Sequence, residues 1–431
     1  MIIALTGFAI LLLLCFFGFR VGFATMLVGL VGFAYERGWS AAFSITGQQI
    51  MDDAMNYNLS VIPLFILMGV FIYRADISKD LYTAAYSGLG RFRGGLALST
   101  VVACAGFSAV CGSSVATAAT MTKVAMPPMR RYNYHDSLSA GTIAAGGTLG
   151  IMIPPSVPLV IYGIVAEQDI GKLFIAGVLP GLLLVGLFMG AVAVTVRINP
   201  EAGPAGEPLD PAESRRALRA VWPVLGLFLL VLGGIYGKVF TPTEASGIGA
   251  VGAAVIAFFR GHLRSFAEWR DALVEAAKTT ATLFIVIFGA LVFAQFINLS
   301  GLPYDLVDIV DDMQFSPVGL VMFVAFIAVL MGMIFESIGI LLLLVPVFLP
   351  ALYASGVDMI WFGIIVVLVT ELGLITPPIG MNVFVVRSVM PDIRLGHIFR
   401  GVVAFIVADA VALALVFLIP AIATFLPAFM E

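Results

Sequence analysis

The chain is 431 residues long, 61% of them apolar and only 11% charged, with a formal net charge of −4. Soluble domains average about 45–50% apolar and about 25% charged residues, so a mean hydropathy of +1.10 excludes a cytosolic enzyme, a disordered regulator and a nucleic-acid binder. What remains is a polytopic integral membrane protein, because too little charge is left to cover so much apolar surface. Three cysteines, Cys15, Cys104 and Cys111, all sit in apolar runs and offer neither a disulfide framework nor a metal spacing. The three histidines, His135, His262 and His397, lie far apart beside polar loops, so no cofactor or zinc site is expected.

A membrane-spanning helix needs about 20 largely apolar residues. In chain order the candidates are 2–19, 21–34, 59–74, 173–196, 220–237, 244–259, 278–298 and 397–420. The first resembles a signal peptide in hydropathy but lacks a basic start and a small-residue cleavage site, and reads as a membrane helix. Thr241-Pro242-Thr243-Glu244 supplies a cap, a proline at the first helical position and a reciprocal acid three residues on, which places a helix start there. Residues 75–90 and 302–314 are amphipathic and suit an interfacial position. Trp39, Trp222, Trp269 and Trp361 fall near span ends, where interfacial anchors belong.

Four apolar stretches do not read as simple spans. Segments 137–168 and 358–390 are broken by Pro154-Pro155 and Pro377-Pro378, while 96–122 and 316–352 are interrupted by Gly112-Ser113-Ser114 and by Glu336-Ser337. Positive charge orients the rest. Arg197, Arg215, Arg216 and Arg219 in the Pro/Gly-rich linker 197–219, and Arg260, Arg264 and Arg270 two helices later, belong on the cytoplasmic side. Asp305, Asp308, Asp311, Asp312 and Asp358 then fall outside. This arrangement makes 96–122 a hairpin entering from the cytoplasm and 316–352 a hairpin entering from outside, with both termini external. Lys123, Arg130 and Arg131 are expected to snorkel to the cytoplasmic face.

The two proline breaks belong to similar segments, separated by an offset of 223 residues from Pro154 to Pro377. The same offset carries Pro127 to Pro350 and Asp169-Ile170 to Asp392-Ile393. One repeat is therefore helix, hairpin, broken helix, helix, and the second copy lies upside down relative to the first. Irregular backbone at bilayer depth survives only where protein or a wet cavity satisfies it, and such breaks present carbonyls to cations and half-helix amino ends to carboxylates. The chain is thus an all-α membrane protein with the signature of a secondary transporter. It carries no phosphate-cradling GxxxxGK[ST] sequence, which leaves an ion gradient to drive transport.

The hairpin Cys111-Gly-Ser-Ser-Val-Ala-Thr117 and the broken segments Gly146-Gly-Thr-Leu-Gly-Ile-Met-Ile-Pro-Pro-Ser156 and Glu371-Leu-Gly-Leu-Ile-Thr-Pro-Pro-Ile-Gly-Met-Asn382 resemble the large membrane subunit of TRAP (tripartite ATP-independent periplasmic) transporters. The likeness extends over essentially the whole chain. It implies a sodium-coupled, elevator-type importer of an organic acid (a carboxylate) in the bacterial inner membrane, with a small four-helix membrane subunit and a periplasmic substrate-binding protein as partners. It also implies one sodium site where the first hairpin tip (Cys111, Ser113, Ser114) meets the break at Gly150, Ile153 and Pro155. The repeat offset then calls for a second, formed by Gly332, Glu336 and Ser337 with Gly373, Thr376 and Pro378. Between them, Ser114, Thr117, Thr148, Ser156, Gly380 and Asn382 are the neutral polar candidates for the substrate.

In this scheme residues 1–60, 220–270 and the terminal helix form a peripheral scaffold. Residues 61–196 form the first repeat, 197–219 a cytoplasmic linker, and 278–431 the second repeat with the terminal helix. Membrane acids are costly and functional by default, and three stand out. Glu336 suits a sodium ligand, a proton carrier or a helix cap; Glu371 suits function and structural pairing about equally; Asp409 has no counterpart in the repeat and is expected to pack against a polar group. The alternative functional reading is a stand-alone ion-coupled anion transporter of related two-hairpin design that needs no binding protein. An intramembrane enzyme would need a nucleophile with a base, or paired carboxylates, at one depth, and Asp409 has no evident mate in the sequence. A channel fits poorly with two opposed hairpins closing a midplane site.

Overall fold

The computed structural model describes residues 1–430, which are helical throughout, joined by short turns. Five helices lead in: α1 (Ile2–Phe16), α2 (Val21–Arg37), α3 (Trp39–Ala54), α4 (Val61–Arg74) and α5 (Ile77–Leu89). The first hairpin is α6 (Gly95–Cys111) with α7 (Ser114–Arg131). The first broken helix is α8 (Asp136–Met152) with α9 (Val157–Val165), bent by 41°, and is followed by α10 (Ile170–Ile198). After the linker come α11 (Pro211–Tyr236), α12 (Pro242–Phe259), α13 (Phe266–Leu299) and α14 (Leu302–Asp312). The second hairpin is α15 (Pro317–Gly332) with α16 (Ser337–Ala354), and the second broken helix is α17 (Met359–Ile375) with α18 (Met381–Val389). The chain closes with α19 (Leu395–Leu418) and the short α20 (Ala421–Thr424). Among the described residues, seven helices are long and apolar enough to cross a membrane, or eight if the bent pair is one span.

The repeat is visible in the elements. Helices α7 and α16 are both 18 residues long and begin 223 residues apart, at Ser114 and Ser337; α8 and α17 are both 17 residues long with the same offset; α9 and α18 are both 9 residues long. Both breaks carry a cis proline pair, Pro154-Pro155 and Pro377-Pro378. The copies clasp each other crosswise. At the end of α7, Arg130 reaches past Asp136 (3.2 Å) to Asp392 (2.5 Å), just after α18. At the end of α16, Tyr353, which is Arg130 carried forward by 223, donates to the Ala166 carbonyl (2.8 Å) and accepts from Gln168 (3.0 Å), just after α9. Each hairpin is thus tied at its base to the other repeat, one clasp at each end of the bundle.

Several expectations change. Arg130 is committed to two carboxylates rather than snorkelling free, because the loop after α18 brings Asp392 to it. Trp361 is not an interfacial anchor: it is 5% exposed and its indole N–H donates to the Val416 carbonyl at 2.9 Å. Helix α3 falls outside the apolar segments because Gln48, Gln49, Asp52 and Asp53 make it too polar to stand out. Helix α7 continues through Pro127-Pro128 to Arg131, since the burial of Ala125, Met126 and Met129 outweighs the proline penalty. The linker is anchored: Gly94 and His135 donate to the carbonyls of Gly203 and Ala202 (2.8 and 3.0 Å), and α11 already starts at Pro211 under an Asp210 cap. The capping box at Thr241 and Glu244 forms as the four-residue pattern requires.

Glycine sets the closest helix contacts. A Cβ on Gly289 of α13 would sit 2.0 Å from the Gly22 carbonyl oxygen of α2, and one on Gly141 of α8 would sit 2.4 Å from the Gly401 backbone of α19. Such small-residue seams let helices approach where lipid gives no hydrophobic drive between them.

Candidate functional site at the hairpin tips

The first tip turns on Gly112, whose φ of +61° is the left-handed region that a side chain resists. Ser113 follows in extended backbone and caps α7, its Oγ accepting from Ala116 N–H at 3.4 Å. The tip lies against the first break with no room for side chains. A Cβ on Gly150 would be 3.0 Å from the Ser113 carbonyl, and one on Gly112 would be 3.0 Å from the Pro155 carbonyl oxygen. Ser113, Gly150 and Pro155 therefore come together as backbone groups, with Cys111 at the end of α6 and Ile153 at the end of α8 flanking them. A hard monovalent cation takes such oxygen ligands.

The second tip repeats the contact. A Cβ on Gly373 would be 2.5 Å from Gly332 Cα. Thr376 closes the end of α17, its N–H on the Gly373 carbonyl (3.2 Å) and its Oγ1 on the Leu372 carbonyl (2.5 Å). The copies differ in two respects. Glu336 stands where Ser113 stands in the first copy, yet its side chain does not cap α16. The prolines of the first break are buried, while Pro377 and Pro378 are exposed.

Both tips face one cavity of about 330 Å³, lined among others by Cys111, Ser113, Ser114 and Thr120 from the first hairpin and Glu336 and Ser337 from the second. The opposite wall comes from α4 and α13, including Tyr73, Glu275 and Thr279. Glu275 is paired with Arg74 at 2.7 Å. Among the described lining residues none is basic, so an anion entering here would meet hydroxyls and the amino ends of α7 and α16 rather than a side-chain cation.

Of the six substrate candidates, Ser114 alone lines this cavity. Asn382 meets it from behind: the Ser114 hydroxyl lies 2.9 Å from Asn382 Oδ1 and 2.7 Å from Nδ2, and Nδ2 also donates to the Ala144 carbonyl at 3.0 Å. Thr117 is fully buried one turn into α7, its hydroxyl without a hydrogen bond. Thr148 donates within its own helix to Ala145 (2.8 Å). Ser156 caps α9 and donates to the Ile151 carbonyl. Gly380 opens α18 at φ +62°.

The buried acids differ from expectation. Glu371 and Asp409 are 0% and 2% exposed, and none of their four carboxyl oxygens has a hydrogen-bond partner. Asp409 is an electrostatic neighbour of Glu371, on the packed helices α19 and α17, a proximity the sequence did not reveal for Asp409. The Ser114–Asn382 bond and the Arg130–Asp392 clasp also escaped the sequence, although the 223 offset, applied to every polar residue of the hairpins, marks Ser114 and Arg130 through Ser337 and Tyr353.

Comparison with known proteins agrees with this architecture. The fold is shared with the solved YdaH transporter of Alcanivorax borkumensis, at a TM-score of 0.63 and 14% identity over 91% of this chain and 89% of that one. The C4-dicarboxylate TRAP transporter large permease protein DctM of Pseudomonas aeruginosa is 36% identical over 384 residues, 88% of each chain. The sialic acid TRAP transporter large permease protein SiaM of Vibrio cholerae is 32% identical over 418 residues, 96% of each. A family profile described as the tripartite ATP-independent periplasmic transporter, DctM component, matches residues 8–422. With its paired hairpins, its mirrored proline breaks and that match along nearly its whole length, the chain belongs to the DctM family, the large membrane permeases of TRAP transporters.

Proposed function

We propose that this permease imports an organic acid across the bacterial inner membrane, driven by a sodium gradient, with the acid delivered by a periplasmic binding protein and a small membrane subunit completing the complex. The observation that carries the reading is the packing of both hairpin tips onto both helix breaks around one cavity. Backbone carbonyls gathered at Ser113, Gly150 and Pro155, and at Gly332, Gly373 and Thr376, suit sodium. Cys111, Ile153, Glu336, Ser337 and Pro378 complete the two sets. The substrate carboxylate is held at the amino ends of α7 and α16, with Ser114 as the first polar contact and Asn382 fixing it; Thr117, Thr148, Ser156 and Gly380 shape the wall behind. Relatives named for a C4-dicarboxylate and for sialic acid support an acid as cargo.

In the proposed cycle sodium binds first and neutralises the tips. The acid then fills the cavity, and the hairpins and broken helices move as one body, as the crosswise clasps favour, past a scaffold of α2, α4 and α11–α13. The cavity borders Tyr73 and Glu275, at the ends of α4 and α13 nearest the arginine-rich loops, which fits a site open toward the cytoplasm in this cycle. Uptake of a labelled organic acid into proteoliposomes tests the reading. Accumulation that needs inward sodium and both partners is expected, whereas uptake indifferent to sodium contradicts it, and sodium-driven uptake without the binding protein favours a stand-alone transporter.

A further inference from the structure

The cavity at the tips has no side-chain cation among its described lining residues, although the cargo proposed for it is an anion. One stands just beyond. Ala116, Ala119 and Thr120 of α7 line the cavity. Lys123 follows them at i+7, i+4 and i+3, in the centre of the same helical stripe, about 10 Å beyond Ala116 at 1.5 Å per residue. It is exposed, so the stripe leads from the tip of the first hairpin out through the mouth of the cavity.

A lysine in a membrane helix ordinarily reaches for the nearest interface. Two observations favour another role for this one. The Cα–Cβ bonds of a helix tilt toward its amino end, and the amino end of α7 is the tip at Ser113 and Ser114. The stem of Lys123 therefore sets out toward the cavity, away from the cytoplasmic end at Arg131. The acids that could neutralise it are also taken. Glu275, on the facing wall, is held by Arg74 at 2.7 Å, while Asp136 and Asp392 are held by Arg130 at 3.2 and 2.5 Å. Lys123 itself forms no ion pair among the described residues. An unpaired ammonium at the mouth of a cleft with low-dielectric walls focuses a positive potential into it and raises the local concentration of anions.

We propose that Lys123, with the Thr120 hydroxyl beside it, forms an anion subsite at the cytoplasmic mouth of the cavity, where a carboxylate of the cargo rests between the hairpin tips and the cytoplasm. The inference takes from the transport reading only that the cargo is an organic acid. The ammonium supplies the charge that the tips lack, and the hydroxyl supplies one hydrogen bond. Open to water, the subsite holds the acid loosely, which suits a place from which cargo leaves.

The test uses the purified complex with Cys15, Cys104 and Cys111 replaced by serine and Thr279→Cys as a reporter inside the cavity. Its rate of modification is measured with an anionic thiol reagent, sulfonatoethyl methanethiosulfonate, and with the cationic trimethylammonioethyl analogue. The ratio of anionic to cationic rates falls about tenfold in Lys123→Gln, recovers in Lys123→Arg and shrinks with added salt. An unchanged ratio in Lys123→Gln overturns the proposal. Succinate, used as a simple carboxylate probe, slows modification by the uncharged methyl methanethiosulfonate when residue 123 is Lys or Arg and not in Lys123→Gln; no protection with Lys123 present also overturns the subsite. Both measurements run without a sodium gradient, binding protein or turnover. Uptake that ignores sodium therefore sinks the transport reading while leaving these results standing, and an unchanged ratio with sodium-driven uptake sinks the subsite alone.

Discussion

Asn382 shows how much one side chain holds at the first tip. It is fully buried and joins Ser114 of the first hairpin to Ala144 of the first broken helix while standing on the second. Asn382→Ala leaves a buried hydroxyl and a carbonyl without their partner, a loss of about 1–3 kcal/mol. The expected outcome is a lower melting temperature together with a raised half-saturating sodium concentration. Because the two residues share one interaction, Ser114→Ala added to Asn382→Ala costs little more than Asn382→Ala alone. Full additivity would show that they act separately. Gly373 makes the parallel case for the second tip. A methyl group at Gly373→Ala would push Gly332 away and open the hairpin from the break, so sodium-dependent uptake falls at least tenfold, while Gly186→Ala, with nothing within 4 Å of the added carbon, leaves it unchanged. Equal effects of the two would remove the tip contact from the mechanism.

Among the elements, the mirrored lengths of α7 with α16 and of α8 with α17 bear out the inverted repeat. The proline pairs, the short polar interruptions and the offset were legible because each breaks an apolar run, and membrane helices tolerate few such breaks. What stayed hidden has physical reasons. Helix α3 is too polar for a hydropathy signal, α7 runs through two prolines on the strength of packing, and Glu371 and Asp409 become neighbours only once α19 packs on α17. At the candidate site, the motifs pointed to the close approach of Ser113 to Gly150, whereas Thr148 and Ser156 spend their hydroxyls on local backbone, a choice spacing does not reveal.

The clasp between hairpin and second repeat makes a pH prediction. Hydrogen bonding to Arg130 holds the Asp392 carboxyl below its ordinary value. A lowered folded-state value means the contribution is complete above the ordinary aspartate value of about 3.9 and fades as pH falls through the folded value. The melting-temperature difference between the native protein and Asp392→Asn is therefore constant from neutral pH to about pH 5 and vanishes in stronger acid. A difference that grows on acidification contradicts the assignment. The pair is exposed, so added salt shrinks the same difference.

For the whole molecule, a large membrane permease of the TRAP type is built around two hairpins and two broken helices whose tips and breaks meet at one cavity. Glycine seams bind α2 to α13 and α8 to α19, while the cavity at the tips lies between the two hairpins and the helices α4 and α13. The most direct measurement is uptake of a labelled organic acid by the reconstituted complex, with the sodium gradient imposed inward, abolished or reversed. Accumulation against a concentration gradient is expected only with sodium directed inward, and is expected to be lost in Gly373→Ala. Accumulation that is the same in all three conditions would contradict sodium coupling.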